Sequence, residues 1–182
     1  MKQIHKKKGS KVKAKPLPIE VEEKEFNELL KETLSFHHKI AFLLGWGAGL
    51  RISEVVNLKK DDFDFESNPP QLRINMGKNS KDRIVPIPKN FKKHHLQYIP
   101  IACKQRALQK AFTSACLRSG LKDKKPKVHF HSLRHGFATQ CIRKGMALSY
   151  VQGLLGHEDL STTAIYINLA PKERLNEYYD KF

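Results

Sequence analysis

From Glu20 onward, apolar residues recur at helical spacing, and "EVEEKEFNELLKETL" places Val21, Phe26, Leu29 and Leu30 on one face. The next stretch, "SFHHKIAFLLGWGAGL", is apolar nearly all round, as in a buried helix, and its pattern stops in the glycine cluster Gly45, Gly47 and Gly49. "RISEVVNL" resumes a short helix with Ile52, Val55, Val56 and Leu58 turned inward. After Asn68-Pro69-Pro70 the period changes. "QLRINM" and "RIVPIP" alternate apolar and polar residues with turn residues "GKNSKD" between them, so the spacing predicts a β-hairpin.

Helical patterns return in "KNFKKHHLQYI" and in "CKQRALQKAFTSACLRSG", the second stopped at Gly120. Another helix opens near Ser132. Two short ones follow in "ALSYVQGLLG" and "STTAIYINLA", the latter with Ser161 or Thr162 available as N-cap, and "KERLNEYYDKF" is a terminal helix or tail. The fold class predicted is α+β, mainly α-helical with a small antiparallel β-sheet.

A chain of 182 residues with 40% hydrophobic residues holds one domain with a real core. Residues 1–18 read as a basic flexible arm and linker closed by a Pro-x-Pro, and 19–182 as the domain. The net charge is +16, and seven lysines with no acid among the first fifteen residues leave +9 on the remainder. The body itself is basic, which points to a polyanion such as nucleic acid, against the plainer reading of a solvated lysine-rich surface. Cys103, Cys116 and Cys141 form no CxxC pair, so they read as reduced thiols rather than a disulfide framework or thiolate zinc site. The longest apolar run is too short to span a bilayer, and the basic N-terminus has no signal-peptide core. A cytoplasmic, nucleoid-associated protein is expected.

"HFHSLRHG", His129 to Gly136, packs three histidines and one arginine into eight residues. His131 and His135 form an HxxxH pair, but a metallohydrolase's glutamate after the first histidine is missing and no third ligand is evident. A solvated helix start is a second reading. The third is a phosphate grip, because His131 and Arg134 share a helix face and supply an imidazole beside a guanidinium fork. Further candidates for an anion site are Arg51 after the glycine-rich bend, Lys78 after Gly77 in the hairpin turn, His157 after Gly156, and Tyr166. Each alone has a structural explanation. Together they are cations and one phenol, with no carboxylate obliged to act.

The boxes "GLRISEVVNL", "GKNSKDRIVPIP", "HSLRHGFAT" and "LLGHEDLSTTAIYI" resemble, in order and spacing, the signature boxes of the tyrosine recombinase (phage integrase) family, most like its Xer-type members. The similarity runs from about Val21 to the C-terminus. It implies a tyrosine recombinase catalytic domain at 19–182, with the family's catalytic set on Arg51, Lys78, His131, Arg134, His157 and Tyr166. Lys81 is a rival for the lysine role, and Lys78 is preferred because it directly follows the turn glycine.

The resemblance implies a site-specific recombinase that cuts and rejoins double-stranded DNA with neither cofactor nor metal. Tyr166 would form a 3′-phosphotyrosyl link while Arg51 and Arg134 hold the phosphate oxygens. Lys78 would protonate the leaving 5′-oxygen, His131 exchange a proton with the phenol, and His157 hydrogen-bond the phosphate. Lys81, Lys104, Arg106 and Lys110 are expected to bind DNA. The family acts as a homotetramer on two DNA sites, and "PKERLNEYYDKF", with Leu175, Tyr178 and Tyr179 at helical spacing, is a candidate for the segment passed to a neighbour. The departure is at the front, where only the lysine arm stands in place of the usual core-binding domain. The chain is therefore expected to be either a catalytic piece or a naturally short recombinase. Type IB topoisomerase-like relaxation and a non-cleaving DNA-binding module are the alternatives.

Overall fold

The computed structural model describes residues 18–75 and 82–156. Helix α1 (Glu23–Lys31) starts where the Glu25 carboxylate accepts the Glu22 N–H at 2.9 Å, and it buries Phe26 and Leu29. Helix α2 (Phe36–Gly47) buries the whole run from Ile40 to Gly45, as its all-round apolar sequence requires. It is the centre of the fold. Its approach to α6 (His131–Arg143) is close: a Cβ at Gly45 would stand 3.0–3.2 Å from Phe130 and Leu133. Phe42 meets Phe112 and Phe130 edge-on at 5.3 and 6.0 Å, and Phe26 stacks on Trp46 at 4.5 Å.

Helix α3 (Ile52–Asn57) buries Val55, while Ile52 and Val56 pack half-buried against the same core. The sheet has the order β1-β2-β3, all antiparallel, from β1 (Phe63–Asp64), β2 (Gln71–Ile74) and β3 (Arg83–Pro86). Leu72 pairs with Val85 and Ile74 with Arg83, so Leu72, Ile74 and Val85 face the core while Ile84 points out. The two strands of the expected hairpin are present and paired, residues 76–81 between them lie outside the described residues, and β1 is an addition that two residues could not announce by alternation. The segment "KNFKKHHLQYI" departs from the expected helix: it forms a 3₁₀ helix over Lys93–Tyr98 between Pro88 and the cis Ile99-Pro100 bond.

Helix α4 (Gln105–Arg118) buries Leu108, Phe112, Ala115 and Cys116, and Gly120 ends it at φ +69°, leading into α5 (Leu121–Lys124). Between α6 and α7 (Leu148–Leu155) lies a second, smaller apolar cluster of Phe137, Ala138, Val151 and Leu155. Among the described residues, no helix is long and apolar enough to cross a membrane. The expected helices at "STTAIYINLA" and "KERLNEYYDKF" lie outside the described residues.

Candidate active site

The site is built at the end of α7. A helix leaves its last carbonyls without partners, and here three arginines from distant parts of the chain meet them in succession. Arg83 Nε donates to Leu154 O at 2.8 Å, Arg134 Nη2 to Leu155 O at 2.5 Å, and Arg51 Nη2 to Gly156 O at 3.2 Å. Their positive charge also faces the negative end of the helix dipole.

The glycine-rich bend sets two of these arginines. Gly49 has φ +66°, a backbone region that side chains with a Cβ rarely adopt, and its carbonyl accepts Arg134 Nη1 at 2.8 Å. Two residues later Arg51 is the N-cap residue of α3. Its backbone N–H donates to Glu54 Oε2 at 2.7 Å and its Nη1 to Glu54 Oε1 at 2.8 Å. The Arg51 side chain is 31% exposed, whereas Arg134 is only 1% exposed. The guanidinium fork expected at Arg134 is buried in this structure. Its two carbonyl bonds engage two of the five N–H donors an arginine carries.

His131 opens α6, half-buried, with His135 edge-on at 4.7 Å and His129 stacked at 6.2 Å. Burial first, then the charges of Arg134, His129 and Arg51, push its imidazole down to about 4. It is therefore neutral near pH 7 and a proton acceptor. Among the described residues, no group of three or more His, Cys, Asp or Glu side chains is placed to hold a metal ion. Burial pushes the Cys116 and Cys141 thiols up to about 12 and about 11, which leaves them protonated and poor nucleophiles.

The structure thus brings together Arg51, His131 and Arg134. Lys104, Arg106 and Lys110 stand exposed at the start of α4. Lys78, Lys81, His157 and Tyr166 lie outside the described residues. Two participants were not singled out in the sequence: Glu54 and Arg83. They form a buried bidentate ion pair, Nη1 to Oε1 and Nη2 to Oε2, both at 2.9 Å, with side chains 6% and 8% exposed. Burial would raise the Glu54 carboxyl, but the hydrogen bonds and charge of Arg83, then the hydrogen bonds from Arg51, outweigh it and hold the group below its usual range. The alternation puts Arg83 on the same strand face as Val85, and a charged residue in that inward register was the trace of this in the sequence.

The sequence model of the Phage integrase family matches residues 19–173. A tyrosine recombinase of Thermosipho africanus is 39% identical over 155 residues, covering 80% of this chain and 54% of that protein. Tyrosine recombinase XerA of Pyrococcus horikoshii is 34% identical over 184 residues, covering 92% and 62% respectively. The chain therefore spans between half and two thirds of the length of these curated relatives. The XerH site-specific recombinase, solved in a post-cleavage complex with its palindromic difH substrate, has a TM-score of 0.72 at 24% identity, over 90% of this chain and 53% of that one. That likeness establishes the fold.

Proposed function

The chain belongs to the phage integrase family, and from that membership we propose that it is a site-specific DNA recombinase working through a 3′-phosphotyrosyl intermediate. Residues 19–182 are its catalytic domain and 1–18 a basic arm. Its substrate is double-stranded DNA, engaged as a homotetramer on two sites, in the cytoplasm at the nucleoid. The DNA in the XerH complex and the basic surface of this chain support that partner.

The observation that carries the reading is the convergence of Arg51 and Arg134 on adjacent carbonyls, Gly156 and Leu155, with a neutral His131 at the start of the helix that carries Arg134. Transesterification at phosphorus needs positioned positive charge on the non-bridging oxygens, and two guanidinium forks supply it. The Tyr166 oxygen attacks phosphorus and its proton passes to His131. The bond from phosphorus to the 5′-oxygen breaks, and that oxygen takes a proton from Lys78 while His157 hydrogen-bonds the phosphate. A 5′-hydroxyl from a second duplex then reverses the step, so one phosphodiester replaces another and no energy source is consumed. Arg134 is buried here, with its fork fixed by the carbonyls of Gly49 and Leu155. Lys81, Lys104, Arg106 and Lys110 bind backbone phosphates.

Strand exchange between two labelled duplexes, in buffer containing EDTA, tests the proposal. Recombinant product is expected with the chain's own target pair. Relaxation of supercoiled plasmid without exchange favours topoisomerase-like chemistry, and DNA binding with neither favours a non-cleaving module.

A further inference from the structure

A carboxylate beside a phosphate-binding arginine is at first sight a handicap, because it competes for the charge the phosphate needs. Glu54 is such a group: it holds Arg51 through both the backbone N–H and Nη1, at 2.7 and 2.8 Å. If Arg51 were its only counterion, the pair would be close to neutral and its pull on a phosphate weak. The structure supplies a second guanidinium. Arg83, on β3, takes both Glu54 oxygens at 2.9 Å in a fork-to-fork pair from which solvent is nearly excluded.

We propose that Arg83 is a positioning residue of the phosphate grip: it neutralises Glu54, so that this carboxylate aims Arg51 without cancelling its charge. Its Nε–H to Leu154 O also fixes the last turn of α7 beside the Gly156 carbonyl that Arg51 meets. A Cβ on Gly156 would stand 3.1–3.4 Å from the Arg83 side chain, so the fit there is close. Of the four groups, only Arg51 has substantial exposure, 31% against 8% for Arg83, 6% for Glu54 and 1% for Arg134. The charge made available by the pairing is therefore presented at the one side chain that solvent, and a ligand, can reach. The inference rests on the reading of Arg51 as a phosphate ligand.

The test is the salt dependence of duplex binding by the full chain, in a Tyr166→Phe background that prevents covalent capture. Each phosphate neutralised by a cation contributes about 0.9 to the slope of log K against log salt. Arg51→Met is expected to lower the slope by about that amount, and Arg83→Met to do the same with Arg51 still present. Arg83→Met combined with Glu54→Gln removes one charge of each sign and is expected to restore the wild-type slope. A purely structural Arg83 predicts the opposite, since the double variant has lost both partners of a buried pair. Should Arg83→Met alone fold poorly by circular dichroism, the double variant decides: a wild-type slope supports the proposal, and a slope as low as that of Arg51→Met overturns it. A wild-type slope for a folded Arg83→Met also overturns it. An unchanged slope for Arg51→Met instead removes Arg51 as a phosphate ligand, and the inference with it.

Discussion

The carbonyl oxygen of Gly49 accepts a hydrogen bond from Arg134 Nη1 at 2.8 Å, across 85 residues of chain. That bond ties the bend before Arg51 to the helix that carries Arg134, so the two cations of the site share one piece of backbone. Gly49 is held at φ +66°, and a Cβ there would stand 2.5 Å from Phe137 Cδ1. Gly49→Ala is therefore expected to cost about 2–4 kcal/mol, from left-handed strain and overpacking together. Urea denaturation measures this. A loss below about 0.5 kcal/mol would mean that the bend tolerates another geometry.

Arg134→Lys keeps the charge and removes the fork. A lysine ammonium cannot reproduce the planar pair of bonds to Gly49 O and Leu155 O. DNA cleavage by this variant should fall about 10²–10³-fold, the usual cost of losing one preorganised donor, with duplex binding much less affected. Single-turnover cleavage and equilibrium binding on the same substrate separate the two effects.

Acid should destabilise the chain through His131. Its imidazole titrates at about 4 in the folded protein and at about 6.5 when unfolded. Between those values the unfolded chain holds a proton that the folded one does not, so stability rises with pH across that window. The contribution is whole above about 6.5 and is lost as pH falls toward 4. His38 and His95 are shifted down by burial as well, so the informative comparison is with His131→Gln. Urea midpoints between about pH 7.5 and about pH 4.5 should depend less on pH in that variant. Equal slopes would refute the assignment.

Gly136, which ends the stretch "HFHSLRHG", faces Val21, and a Cβ there would overlap the Val21 carbonyl oxygen. That carbonyl accepts Trp46 Nε1 at 3.1 Å, and the Val21 N–H donates to Ser132 O at 3.2 Å. Gly136→Ala should push this segment off α6 at a cost of about 1–3 kcal/mol. Faster hydrogen exchange at Val21 and a lower urea midpoint would both report it.

The elements that were legible in the sequence are those whose own residues are buried periodically. Phe26 and Leu29 announce α1, the run from Ile40 to Leu44 announces α2, and Leu72, Ile74 and Val85 announce the hairpin. The 3₁₀ helix at Lys93–Tyr98 escaped because none of its residues is buried, which left no stripe to fix the period. Arg51, His131 and Arg134 were readable as a set through their boxes, but the burial of Arg134 was not, since its carbonyl partners lie far away in sequence. The pairing of Glu54 with Arg83 was missed for the same reason: the two are 29 residues apart, and the inward register of Arg83 does not say which carboxylate meets it.

The proposed chemistry depends first on Tyr166 as nucleophile. A nicked suicide duplex carrying a target site should trap wild type in EDTA as a protease-sensitive covalent adduct, and Tyr166→Phe should form none. Peptide mapping should find the 3′-phosphate of the cut strand on Tyr166. An adduct formed equally by Tyr166→Phe, or a link to any other residue, would contradict the account.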